Sequence, residues 1–371
     1  MTASRTVPFF NYPRAYLDDR EDIIKILEDV GSRGAFIMQK DLHDFESALA
    51  TYIGAEYAIG VGNATDGLEL ALMAVGLKPG DEVICCSHTM LATASAIKMV
   101  GGIPVPVEMA DDGMLDAEAV DDAITSSTVG VMPTQLNGRT CAMDRIMAIA
   151  ERHKLFVVED AAQALGSRFK GQCAGTFGAA AAISFFPAKV LGSLGDGGAV
   201  TTSSNALYEK VYQLHDHGRN PDGELVSWGR NSRLDNLQAA ILNHRLQTYD
   251  GIIRRRREIA AIYQQRLGAI EQLDLPPAPD ADPDHFDVYQ NYELQAENRD
   301  ALKEYLRENG VGTLIQWGGK GVHQWAPLGF SVRLPKVERF FERCLMLPMN
   351  IFLEDDDVHY VSDKIESFYR H

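Results

Sequence analysis

No apolar run in this sequence approaches the length of a membrane-spanning helix, which takes about twenty residues, so no membrane segment is expected. Paired metal-binding cysteines are also missing. Cys85, Cys86, Cys141, Cys173 and Cys344 are odd in number and form no Cys-x-x-Cys pair, so neither a zinc ribbon nor a disulfide framework is indicated, and no metal is expected. Positive charge is scarce: 35 Lys and Arg face 52 Asp and Glu, a net charge of −17. A general nucleic-acid surface is thereby disfavoured, because phosphate neutralisation needs Lys and Arg. An anionic substrate would have to be met by locally placed donors rather than by a global field. No Gly-x-Gly-x-x-Gly follows an early strand, which argues against a nicotinamide dehydrogenase. Residues Met1 to Pro8 lack the apolar core of a signal peptide. With unpaired thiols, this leads to the expectation of a cytoplasmic protein.

What is present is a chain of 371 residues, 46% hydrophobic, long enough for two domains. Down to residue 200, short apolar strands alternate with helices, which indicates a parallel sheet wound with helices. The strands are expected at 56–61, 81–86, 102–107 and 129–133, then at the run ending in Asp160 and at 180–186. Helical apolar spacing marks 19–30, 41–53, 68–75 and 144–153. Beyond Val200 the chain is more polar. The stretches 214–219 and 223–228 read as loop, and Leu234 to Arg257 reads as one long helix. A proline-rich tract at 275–283 is a break. After it come expected strands at 289–294 and 313–315, and helices at 300–309 and 355–369.

The chemistry concentrates between Val157 and Val200. An apolar strand ends in Glu159-Asp160, which is how a parallel sheet delivers an acid to its C-terminal edge. A second strand, Ala180 to Phe186, runs into Pro187-Ala188-Lys189. Gly192, Gly195, Gly197 and Gly198 follow, allowing backbone to pass close to something bulky. Lysine at one strand end and aspartate at another fit a pyridoxal phosphate site. The amine would form a Schiff base with the cofactor aldehyde, and the carboxylate would keep the pyridinium nitrogen protonated. Singly, each residue has a plainer reading, as a solvated lysine or a turn-forming aspartate. A strand–turn–helix junction at Gly62-Asn-Ala-Thr-Asp-Gly67 is a candidate phosphate site, since helix N-termini bind anions. The alternative there is an ordinary cap, with Thr65 or Asp66 serving its own helix. Arg254 to Arg257, with Arg245 nearby, is read as a solvated helix face, or as a subunit or nucleotide-diphosphate contact.

Four motifs in order carry a family resemblance: Val158-Glu-Asp-Ala-Ala-Gln-Ala164, Ser184-Phe-Phe-Pro-Ala-Lys189, Gly195-Asp-Gly-Gly198 and Gly229-Arg-Asn-Ser-Arg-Leu-Asp-Asn-Leu-Gln-Ala-Ala240. The chain resembles the DegT/DnrJ/EryC1/StrS nucleotide-sugar aminotransferases from about residue 8 to the end. The resemblance implies an α/β protein, the pyridoxal-phosphate-dependent transferase fold type I. A large domain (1–245) with a mostly parallel sheet flanked by helices would precede a small α+β domain (246–371), joined by a helix over about 234–268. It implies Lys189 and Asp160 as catalytic residues, and Gln163 against the cofactor's phenolic oxygen. Ala64, Thr65, Asp66 and Ser184 would meet its phosphate, and Asn231 would reach the phosphate bound by the partner of a homodimer. Alone, Asn231 is also a turn asparagine. Met90 stands where the family often has an aromatic stacked on the cofactor ring, Ala64 where glycine is frequent, and Gln135 near the usual histidine. His88, Gln135 and His323 are candidates for contacting substrate. The implied reaction moves an amine, with glutamate the expected donor, to a keto sugar on a nucleotide diphosphate for amino-sugar biosynthesis. Gly195-Asp-Gly-Gly198 leans to 3-keto sugars, with 4-keto sugars the alternative. Of the rivals, a dehydratase with histidine at the lysine position conflicts with Lys189. A non-catalytic regulatory module has no added DNA-binding domain to support it.

Overall fold

The computed structural model describes residues 5–370. In chain order its first strands are β1 (Tyr57–Val61), β2 (Glu82–Cys86), β3 (Ile103–Val107), β4 (Thr128–Met132) and β5 (Phe156–Asp160). The short β6 (Arg168–Phe169) and β7 (Gln172–Cys173) follow, then β8 (Ala180–Ser184) and β9 (Gly198–Thr202). Seven of these form one sheet in the order β1-β9-β8-β5-β4-β2-β3. All pairings among β8, β5, β4, β2 and β3 are parallel. β9 alone is reversed, antiparallel to both β8 and β1. The reason is local. Parallel neighbours need a crossover, whereas residues 185–197 contain no helix, so the chain turns back beside β8. Lys189 lies in that return loop, at the C-terminal edge of β8.

Small side chains decide how closely helices approach this sheet. Ala180, Ala181 and Ala182 of β8 are buried, and a Cβ on Gly67 would lie 3.2 Å from that of Ala182. The helix Ala64–Val75 therefore packs hard on β8, and its N-terminus arrives at the strand's C-terminal edge. Gly130 serves a similar need in β4: a Cβ there would meet the Phe156 ring at 2.2 Å.

The C-terminal part builds a separate antiparallel sheet, β10 (Leu273–Asp274), β12 (Tyr292–Ala296) and β13 (Cys344–Leu347), ordered β10-β12-β13. β11 (His285–Phe286) joins β6 and β7 instead. Helices Tyr249–Leu267, Arg299–Glu308 and Asp355–Tyr369 cover the antiparallel sheet around Tyr263, Tyr292, Leu345 and Val358.

Several expectations are corrected. The single helix expected over 234–257, and the connecting helix over 234–268, are two helices, Asn236–Leu246 and Tyr249–Leu267. Bonds from Gln247 N to His244 O and from Thr248 N to Arg245 O tighten the first to its end. The Tyr249 side chain is then fully buried, its hydroxyl donating to Leu165 O at 2.9 Å. Residues 313–315 form a single bridge, Leu314 to Met346, not a strand. Residues 214–215 close the helix Asn205–His215. The helix Pro335–Arg343 and β13 had no expectation at all.

Candidate active site

Asp160 ends β5, Lys189 follows β8, and both line a cavity of about 410 Å³ at the sheet's C-terminal edge. Burial lowers the Lys189 amine to about 8, while Asp160 pulls it the other way. Burial pushes the Asp160 carboxyl up, against three opposing influences: the Thr93 hydroxyl, the Ala162 N–H and Lys189. Thr93 Oγ1 donates to Asp160 Oδ2 at 2.6 Å, and Ala162 N donates to Oδ1 at 3.2 Å. Since Thr93 spends its proton on Asp160, it accepts from Thr89 at 2.7 Å, and Thr89 accepts from Thr134 at 2.8 Å. A chain of three hydroxyls from two segments, 89–93 and the turn at Thr134, thus ends on one carboxylate.

The same cavity is also lined by a helix start. Ala64 and Thr65 line it, in the first turn of Ala64–Val75, where backbone N–H groups have no intrahelical acceptor. The cap is Asn63, whose Oδ1 accepts from Asp66 N at 2.9 Å, rather than Thr65 or Asp66. Gly198 explains part of the glycine motif: a Cβ there would lie 2.6 Å from the Asn63 carbonyl carbon. Ser184 also lines the cavity. Gln163 lines it with a committed orientation, because its Oε1 accepts from Asn137 N at 2.9 Å. The amide NH2 is left to donate to a ligand. Met90 stands at the mouth, half exposed. Phe186 and Asp196, which belong to the lysine and glycine motifs, also line it, as does Trp317, which no motif pointed to.

Other candidates lie elsewhere. Asp66 turns away from the cavity and accepts from Ser232 Oγ at 2.6 Å. Gln135 is fully buried, with Nε2 donating to Glu159 at 2.8 Å and Oε1 accepting from Cys141 N at 2.7 Å. Both ends of its amide are spent, which removes it as a substrate contact. Glu159 further accepts from the backbone of Gly175, Phe177 and Gly178, and so anchors the approach to β8. His88 lines a smaller separate cavity, where Nδ1 donates to Gly113 O at 2.9 Å. His323 is buried against Ser87 Oγ at 2.7 Å and Glu338 at 3.3 Å, off the cavity wall. Asn231 is exposed and does not line its own chain's cavity. The arginine run is not a solvated face. Arg255 donates to Leu353 O, Arg256 to Tyr289 O and Gln290 O, and Arg257 to Asp287 O; only Arg254 is exposed.

A lysine of lowered basicity, a buried carboxylate, an amide donor and a helix N-terminus surround one cavity. They suit in turn an aldehyde, a protonated ring nitrogen, a phenolate oxygen and a phosphate, so the donor set fits pyridoxal phosphate. Fold and site together define a pyridoxal-phosphate-dependent enzyme of fold type I. The chain belongs to the DegT/DnrJ/EryC1/StrS aminotransferase family, whose model matches residues 17–366. It is 36% identical to a dTDP-3-amino-3,4,6-trideoxy-alpha-D-glucose transaminase of Streptomyces venezuelae, over 98% of this chain and 96% of that protein. It is 37% identical to a protein of Geobacillus stearothermophilus named a pleiotropic regulatory protein, over 98% and 99%. The crystal structure of S. venezuelae DesV in complex with a ketimine intermediate superposes with a TM-score of 0.94 at 36% identity, covering 99% of each chain. The protein is an aminotransferase. No helix among the described residues is long and apolar enough to cross a membrane.

Proposed function

We propose that this enzyme transfers an amino group from glutamate to C3 of a keto sugar carried on a nucleotide diphosphate, within amino-sugar biosynthesis. The observation that carries the reading is the shared cavity of Lys189, Asp160 and the helix start at Ala64. Bound pyridoxal phosphate supplies an electron-withdrawing ring that stabilises negative charge beside the transferred nitrogen. Lys189 Nζ anchors the cofactor and, once released, moves a proton to and from the reacting carbon; an amine lowered to about 8 suits that work near neutral pH. Asp160 holds positive charge at the ring nitrogen, with Thr93 fixing its orientation. Gln163 donates to the phenolic oxygen, while Ala64, Thr65 and Ser184 receive the phosphate. Support for the sugar and for C3 comes from the S. venezuelae relative's name and from Gly195-Asp-Gly-Gly198.

The same reading makes the working unit a homodimer. Asn231 is exposed beside Trp228, which is 94% exposed, and both stand apart from their own chain's cavity. Each subunit would then offer Asn231 to its partner's phosphate.

The test is a pair of half-reactions followed in the visible spectrum. Glutamate should convert the bound cofactor to its amine form. A panel of dTDP- and UDP-linked 3-keto and 4-keto sugars should then convert it back, fastest with a 3-keto sugar. Preference for a 4-keto sugar overturns the position, and no reaction with any nucleotide sugar overturns the substrate class.

A further inference from the structure

Lys189 sits in a loop that belongs to no strand or helix, yet proton transfer demands that its amine be held in place. Its own backbone N–H donates to Phe186 O at 2.8 Å, one turn of chain back. The residues on either side are held from far away. Gln290 Nε2 donates to Ala188 O at 2.9 Å, and Gln290 Oε1 accepts from Val190 N at 2.9 Å. One side-chain amide therefore brackets Lys189 with two bonds, as a neighbouring strand would, although it lies 101 residues along the chain. Gln290 is itself buried, at 7% exposure.

The segment that carries Gln290 is locked independently. Arg256 Nη1 donates to Tyr289 O at 2.8 Å and to Gln290 O at 3.1 Å. Val288 N donates to Gly138 O at 2.8 Å. A Cβ on Gly138 would sit 2.6 Å from both Tyr289 N and Gln290 N, so the two turns touch backbone to backbone. Tyr289 adopts φ +50, an uncommon conformation for a bulky residue, which sets its neighbour's side chain toward the lysine loop. Next to Gln290, Asn291 Nδ2 donates to Asn137 Oδ1 at 2.8 Å, and Asn137 N holds Gln163. Residues 288–291 thus brace both the lysine loop and, through Asn137, the Gln163 amide that lines the same cavity.

We propose that Gln290 is a positioning residue for the reaction: its amide fixes the backbone on both sides of Lys189 and thereby aims the lysine amine at the reacting carbon. This rests on Lys189 carrying the cofactor. Gln290 does not line the cavity, so it acts on geometry alone.

The experiment compares holoenzymes bearing Gln290→Leu, which keeps bulk and loses both bonds, and Gln290→Glu, which keeps only the acceptor for Val190 N–H. Gln290→Leu should retain cofactor that borohydride fixes onto Lys189, but lower kcat by about tenfold to a hundredfold, with KM for the amino donor within about twofold. The visible circular dichroism of the bound cofactor, which reports its orientation, should change in the same variant. Gln290→Glu should fall between it and the parent enzyme in both readouts. Should Gln290→Leu not fold, Gln290→Glu alone must show the kcat loss and the altered dichroism. Unchanged dichroism with kcat within about twofold overturns the proposal. So does a kcat loss that comes with unchanged dichroism and follows a fall in melting temperature, which marks Gln290 as merely structural. Failure of borohydride to fix cofactor onto Lys189 in the parent enzyme would instead overturn the assignment of the lysine.

Discussion

Lys189 and Asp160 show burial acting in opposite directions on two groups that share a cavity. For the lysine, burial penalises the ammonium and moves the amine to about 8 from its ordinary 10.5. The unfolded chain therefore binds the extra proton between those two values. In cofactor-free protein, this residue's cost to stability is fully present below about pH 8 and is relieved as pH rises toward 10.5. Selective acylation of Lys189 in cofactor-free protein should accordingly titrate with a midpoint near 8; peptide mass mapping across pH checks this, and a midpoint near 10.5 would contradict it. Lys189→Ala should keep the fold by far-UV circular dichroism and lose turnover by about 10³-fold or more, because anchoring and proton transfer vanish together. For Asp160, the buried carboxyl is pushed up and the Thr93 hydroxyl opposes that push. Thr93→Val removes a hydrogen bond to a charged group, a contribution of about 1.5–3 kcal/mol. Its expected outcome is a lower kcat and an acidic limb of the pH–rate profile displaced to higher pH. An unmoved limb would mean that the hydroxyl does not hold the carboxylate.

At the scale of elements, the helix Ala64–Val75 joins sequence most directly to function. An apolar strand, a glycine-bearing turn and an apolar helix were all readable, because each is a local pattern. Which residue caps the helix was not, since Asn63, Thr65 and Asp66 all have side chains able to do it. The choice falls to Asn63 because Gly67 seats on Ala182 and Gly198 seats on Asn63, which sets where the helix can begin. Asn63→Ala should therefore cost about 1 kcal/mol of stability and loosen the phosphate end of the cavity. A lower melting temperature together with weaker cofactor binding is the outcome to measure. The break at Gln247–Thr248 was unreadable for a different reason. No glycine or proline lies between Leu234 and Asp250, and nothing local stops the helix. The chain turns there because the Tyr249 ring is taken into the core.

For the whole molecule, the isolated chain leaves large apolar side chains in water. Leu225 is 75% exposed and Trp228 is 94% exposed, on the same loop that leads to Asn231, while Phe186 and Met90 stand exposed at the cavity mouth. A second copy covering these residues is the arrangement under which the proposed role of Asn231 operates. Sedimentation should give a dimer, and the double substitution Leu225→Asp, Trp228→Asp should shift it to monomer with reduced cofactor affinity. Asn231→Ala in the intact dimer should weaken cofactor binding by about tenfold to a hundredfold, the worth of one charge-assisted hydrogen bond. A monomer with full activity would defeat the shared site.

By itself the sequence determined most strands and helices before Val200, the placing of Asp160 and Lys189 at strand ends and the glycine-rich stretch that follows Lys189. Each of these is written in contiguous residues whose spacing has a direct geometric meaning. Tertiary structure alone decided between side chains of identical chemistry. Gln135 and Gln163 both follow strand ends, yet Gln135 is consumed by Glu159 and Cys141 while Gln163 is left facing the cavity. His88 and His323 are drawn into buried bonds that no local pattern announces. Thr93 and Gln290 act on Asp160 and Lys189 across 67 and about a hundred residues of chain. Such contacts depend on how separate elements close upon one another, so the residues that aim the reacting groups become visible only once the chain is packed.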